Sequence, residues 1–586
     1  MLNFLPRFPA GLQVVLRQPW TIATVIIAIA MALPLFAILS GSFSDTREVW
    51  QHLIQTVLGE YIGNSLMLML GVGLGVAIVG TGTAWLVTMC EFPGRGLFQW
   101  ALLLPLSAPS YLLAYTYTDL LDFSGPVQSS LRSFFQWKTA QDYWFPNLRS
   151  VPGAIFMFVL VLYPYVYLLA RSAFLNQSTV TLEASRSLGC TPWQGFTKVA
   201  LPLARPAIAA GISLALMETL NDYGTVEYFS VPTFTIGIFR TWFGQGERLA
   251  ASQLALLLLT FIAILVILER QSRDRQRYYQ NSQRAAIASR YSLSIWKSFG
   301  ALLACALPIV LGFAVPVSVL VSLLPTPSKA GNSSGTSPSG DGDYGIARTG
   351  DFMANSGAAN SGDAFWSYAY NSLSLATVAA IVAVVLAIVL AYSNRLQPTR
   401  LNRWAMQAAT LGYAIPGAVI AVGTMAPLGA FDNALDDWMR STFNISTGLL
   451  LSGTMTALIF AYTVRFLAVG YGAIESSLGN IKPSLDDASR SLGLNPVRTL
   501  QKIHLPLIRS GLISAVILVF VDVMKELPVT LIMRPLNYDT LAVRVYNLAS
   551  DERLDAAAFP ALAIIAVGLL PVILLSVQMG RGCVRR

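Results

Sequence analysis

Apolar stretches of about 20 residues recur along this chain, separated by short polar connections. They fall at about 20–40, 61–88, 98–121, 151–175, 206–226 and 250–268, and again at about 298–324, 366–393, 404–428, 447–472, 508–533 and 558–578. At about 1.5 Å rise per residue, each can cross the roughly 30 Å of hydrocarbon in a bilayer, and backbone in lipid must be helical to satisfy its own hydrogen bonds. The pattern predicts an all-α polytopic membrane protein with about 12 transmembrane helices. Composition agrees, since 54% of the residues are apolar and only 12% charged, against roughly 45–50% and 25% in soluble domains. The first apolar run follows basic Arg7 and Arg17, as in a signal peptide, but its length and the lack of an A-x-A exit predict a retained helix.

Several function classes are disfavoured. The net charge of +9 comes from residues scattered through short loops at the ends of apolar segments. With no continuous basic face, no nucleic-acid partner is expected. Cys90, Cys190, Cys305 and Cys583 stand alone, without CxxC spacing, so neither a zinc site nor a disulfide framework is indicated. His52 and His504 are the only histidines, which removes a His-rich metal centre and makes hydrolytic catalysis unlikely to be encoded. No cofactor, no catalytic residue and no metal ligand is expected, and membrane lipid is the expected surroundings.

Lys and Arg accumulate on the cytoplasmic side of membrane proteins. Arg270, Arg273, Arg275, Arg277, Arg284, Arg290 and Lys297 share one connection, Arg395, Arg400 and Arg403 another, and Arg581, Arg585 and Arg586 end the chain. With twelve helices these all lie on one side, which predicts both termini in the cytoplasm. The expected organisation is a first unit over 1–270, a basic cytoplasmic linker over 271–297 and a second unit over 298–586. The Gly/Ser-rich stretch at 325–364 falls on the opposite face and cannot bury enough apolar surface to order itself. It reads as a periplasmic loop.

An internal repeat carries most of the functional information. LEASRSLGCTPWQGFTKVALPLARP, from Leu182, and DDASRSLGLNPVRTLQKIHLPLIRS, from Asp486, are offset by 304 residues and agree at 12 of 25 positions, where roughly two are expected for unrelated segments of this composition. The chain is a duplication. Both copies follow the fourth apolar segment of their half, within loops near 176–205 and 475–509. Each pairs an acidic residue with a small one and then a glycine: Glu183, Ala184 and Gly189, and Asp487, Ala488 and Gly493. The pattern reads as a short helix with an acidic residue at its positive end and a glycine to take the left-handed turn that stops it. Leu201 and Pro202, and Leu505 and Pro506, complete each copy.

These loops resemble the EAA loops of ATP-binding-cassette importer permeases, although the copies read EAS and DDAS rather than EAA. The resemblance implies two tandem six-helix permease units whose loops couple to two copies of an ABC ATPase subunit, with a periplasmic substrate-binding protein delivering cargo at a bacterial inner membrane. The chain has no G-x-x-x-x-G-K-[ST] phosphate loop of its own. Segments beginning at Met217 and Val521 look like the corresponding stretches of fused ferric-iron permeases. Thiamine, aminoethylphosphonate and polyamine importers are the close alternatives, and an ion-coupled secondary transporter, which also uses internal repeats, is a remote one. Glu218 and Asp222 lie four apart in the fifth segment, and the 304 offset maps them onto Asp522 and Glu526 in the eleventh. Four-residue spacing predicts each pair on one helical face, lining a path for a cationic substrate, unless the carboxylates cap helix ends or pair with Lys525.

Overall fold

A computed structural model describes residues 19–41, 47–175, 177, 183, 187–274, 290–324 and 361–584. The stretch 325–360, most of the expected periplasmic loop, lies outside the described residues, as does 275–289 of the basic linker.

The first half comprises α1 (Pro19–Gly41), α2 (Leu58–Met89), α3 (Arg95–Ala101), α4 (Ser110–Leu121), α5 (Val151–Leu175), α6 (Leu201–Asn221) and α7 (Arg248–Asp274). The second comprises α8 (Ile295–Ser322), α9 (Ser361–Leu396), α10 (Arg400–Thr410), α11 (Gly417–Phe443), α12 (Met455–Gly479), α13 (Ser484–Ser491), α14 (Arg509–Met524) and α15 (Leu554–Val584). Among the described residues ten helices are long and apolar enough to cross a membrane, or up to twelve if two sharply bent pairs each count as one span. Among the described residues the fold is all-helical apart from a two-residue parallel pairing of Cys90–Glu91 with Tyr291–Ser292.

Helix bounds differ from the sequence expectation where proline intervenes. The third segment of each half is not a straight span. In the first half it bends by 89° between Ser107 and Ser110. The residue before proline is driven into extended backbone, and Ala108 before Pro109 (ψ 128°) and Ile415 before Pro416 (ψ 130°) both adopt it. The expected segment at 404–428 therefore straddles a break: α10 is a separate amphipathic helix and the apolar span starts at Gly417. The tenth span likewise lies later than expected, at Met455–Gly479 rather than 447–472.

In each half three helices form the packed centre: α2, α5 and α6, and α9, α12 and α14. The duplication is visible in their bounds, since α12 begins and ends 304 residues after α5. The first helices are exchanged. α1 packs on α10 and α11 of the second half, whereas α8 packs on α4 and the adjoining turn of the first. Glycines permit the close approach. A Cβ on Gly423 of α11 would lie 2.4 Å from the Pro34 carbonyl oxygen of α1, and one on Gly312 of α8 would lie 2.7 Å from the Leu160 carbonyl oxygen of α5.

Candidate functional site

From the glycine onward, the two repeated loops share their backbone geometry. α13 carries Asp486 and Asp487 in its first turn, where carboxylates complement the helix dipole, and stops at Gly493 with φ +73°. Gly189, its counterpart, has φ +82°. A Cβ at either position would meet nothing within 4 Å. The demand for glycine is therefore one of backbone conformation alone. A capped turn follows each glycine. Thr191 accepts from the Gln194 N–H at 3.3 Å ahead of Pro192, and Asn495 accepts from the Arg498 N–H at 2.8 Å ahead of Pro496. Glu183, Asp487 and Ala488 are exposed, and Ala184 lies outside the described residues. Leu188 and Leu492, 304 apart, are 84% and 80% exposed.

The second feature is a cavity of about 90 Å³ between the halves, lined by Tyr165, Glu218, Asp222, Arg465, Asp522 and Glu526 among others. The structure brings all four sequence-identified carboxylates together here, but not by the expected single helical face. α6 ends at Asn221 and α14 at Met524, so Asp222 and Glu526 sit just beyond their helices. Each turns back to cap the short helix that follows. Asp222 accepts from the Thr225 N–H at 2.8 Å and the Ser110 hydroxyl at 2.5 Å. Glu526 accepts from the Val529 N–H at 3.2 Å. Asp522 pairs with Lys525 at 3.0 Å, the alternative partner the sequence offered.

Sequence reasoning missed Arg465, the organising residue. Its guanidinium, 5% exposed, lies 3.4 Å from Glu526 and 3.9 Å from Glu218, and Nη1 donates to Asn221 Oδ1 at 2.6 Å. The Gly417 N–H donates to the same Asn221 oxygen at 2.6 Å. One amide of the first half thus joins two helices of the second. The signal available was a lone arginine inside the apolar run of α12, a residue type costly enough in a membrane span to need a named partner. Its counterpart at the 304 offset is Val161, so the cluster is not two-fold symmetric. Among the described residues no group of three or more His, Cys, Asp or Glu side chains converges closely enough to hold a metal ion.

Residues 17–272 and 383–581 match the binding-protein-dependent transport system inner membrane component family. The chain belongs to that family. The two matched stretches fall one in each half of the duplication, so the permease domain occurs twice in a single polypeptide, and the chain is an ABC importer permease and a multi-pass inner-membrane protein. Partnership with an ATPase and a binding protein is general in such permeases. The Fe(3+)-transport system permease protein FbpB 2 of Haemophilus influenzae is 26% identical over 95% of this chain and 98% of its own length. The ferric transport system permease protein FbpB of Actinobacillus pleuropneumoniae is 23% identical over 89% of this chain and 71% of its own. The sulfate transport system permease protein CysW of Escherichia coli is 26% identical over 42% of this chain and 83% of its own.

Proposed function

We propose that this permease imports ferric iron handed over by a periplasmic binding protein, driven by two copies of an ATPase subunit seated on the loops at Gly189 and Gly493, with both termini in the cytoplasm. The observation that carries the coupling reading is the pair of loops with the same left-handed glycine, capped turn and exposed leucine. For the substrate, likeness over 95% and 89% of the chain to two ferric permeases supports iron, and the cavity holds four carboxylates against two cations. A walled site with excess negative charge concentrates cations and repels oxyanions. The carboxylates are held by caps and ion pairs rather than gathered into a cage, which suits transit: an ion passing must be attracted without being retained.

The purified permease, reconstituted in liposomes with its ATPase and a binding protein carrying ferric iron, is expected to take up iron only when ATP and both partners are present. Uptake by the permease alone on a proton or sodium gradient would overturn the importer reading. Glu218→Gln and Asp222→Asn combined, which leave the Arg465–Glu526 and Lys525–Asp522 pairs intact, are expected to lower iron uptake by about five-fold or more. Unchanged uptake at normal expression would remove the cavity's charge as an argument for a cation.

A further inference from the structure

The second coupling loop is fastened to the end of α9. Near the end of α9, Arg395 reaches across to the second loop: Nε and Nη2 donate to Asp486 Oδ2 at 3.0 and 2.8 Å. The same guanidinium donates to the Leu478 carbonyl at 2.6 Å and the Ile481 carbonyl at 3.0 Å, at the end of α12 and just beyond it. On the far side of the loop, the buried His504 places Nε2 2.9 Å from Asp486 Oδ1. Its ring packs edge-on against Tyr392 at 5.5 Å, and the Tyr392 hydroxyl donates to the Pro496 carbonyl at 2.8 Å. Both ends of the 481–504 segment are thus tied to one turn of α9.

At the 304 offset, Arg395, Asp486, His504 and Tyr392 correspond to Glu91, Leu182, Ala200 and Thr88. None of these can rebuild the fastening. Glu91 instead faces Arg290 at 3.2 Å and Arg95 at 3.6 Å, holding the end of the linker that leads into α8. The Thr88 hydroxyl folds back onto the Ala84 carbonyl at 2.7 Å.

We propose that Arg395, Asp486 and His504 are positioning residues that clamp the second coupling loop to α9, making that loop a stiff lever on α9 and α12. Charge-assisted bonds from a planar guanidinium fix direction as well as distance, so a displacement of α13 carries α9 and α12 with it. This rests on the reading that the loops receive the ATPase. It adds that motion of the second loop is delivered directly to α9 and α12.

The test measures iron uptake per ATP hydrolysed in liposomes holding the permease, its ATPase and the binding protein loaded with radioactive ferric iron. Arg395→Gln and Asp486→Asn are expected to keep hydrolysis within about two-fold while uptake per ATP falls roughly five- to ten-fold, the range of ordinary coupling between sites. Arg395→Lys, which retains one charged contact, should recover at least half of the loss. Tyr392→Phe, which removes only a hydroxyl and leaves the packing intact, should lower the ratio by roughly two-fold at normal yield. Glu91→Gln should leave it unchanged. The clamp is overturned if Arg395→Gln keeps a normal ratio, if Arg395→Lys recovers nothing, if hydrolysis and uptake fall together, or if Glu91→Gln matches Arg395→Gln. Gly493→Val separates the two readings: if it uncouples while Arg395→Gln does not, only the clamp fails, and if neither uncouples, the loop itself is not a lever.

Discussion

Replacing Arg465 with methionine is expected to cost about 3–5 kcal/mol and to leave little folded permease in the membrane, because it strands a buried carboxylate. Glu526 and Arg465 are both 5% exposed at their side chains and stand 3.4 Å apart. Without the guanidinium, Glu526 keeps the Val529 N–H as a donor but has no counter-charge within reach except through Lys525, which Asp522 already holds. The Asn221 carbonyl oxygen loses one of its two donors from the second half and keeps the Gly417 N–H. Glu218 should matter less, being 29% exposed to the cavity, where water can solvate it. Arg465→Met combined with Glu526→Gln is therefore expected to restore much of the yield, since the charge that must not be buried alone is gone. Thermal midpoint and monodisperse yield in detergent check both steps. Equal losses in the single and double variants would show that Arg465 acts through its packing rather than its charge.

Gly423→Val is expected to be nearly as damaging, at about 3 kcal/mol or more, since the added atom meets backbone rather than a side chain that can swing away. Its Cβ would lie 2.4 Å from the Pro34 carbonyl oxygen and 2.9 Å from Ile38, so α1 would have to move bodily off α11. Gly412→Val should behave alike, with a Cβ placed 1.8 Å from the Val464 carbonyl oxygen. Gly472→Val, on α12 with nothing within 4 Å, is the control and should change stability by no more than about 1 kcal/mol. Retention of wild-type thermal stability by Gly423→Val would mean that α1 is not held where the structure places it.

The duplication, the number of spans and the left-handed glycine within each repeated loop were legible in the sequence, because hydrophobic length, a fixed offset and the rarity of left-handed backbone are local properties. The four carboxylates were legible as a group, but their arrangement was not. Counting four residues assumes an unbroken helix, and α6 and α14 both end before the second member of each pair. Asp222 and Glu526 spend their oxygens on backbone amides three residues ahead, which a face diagram cannot register. Arg465 escaped because its partners come from α6 and the residues after α14, at separations no local pattern encodes. The 404–428 segment was misplaced because apolar residues of α10 blend into the turn before Pro416, so a hydropathy window runs through a real break.

The exchange of α1 and α8 bears on how such a chain is made. Spans enter the bilayer in order from the ribosome, so α1 is in place long before the α10 and α11 surface it packs against has been synthesised. The first half in turn waits for α8 to cover α4 and to close over the Leu160 carbonyl through Gly312. Neither half is therefore finished when its last residue is translated. Fusing the two in one polypeptide keeps each half's missing helix tethered at high local concentration during that interval, where separately encoded halves would have to find one another by diffusion in the membrane plane. A break introduced between α7 and α8 is then a handicap of assembly rather than of architecture, felt most when synthesis is slow and the unpaired surfaces of the early helices stay open to lipid, chaperones and proteases.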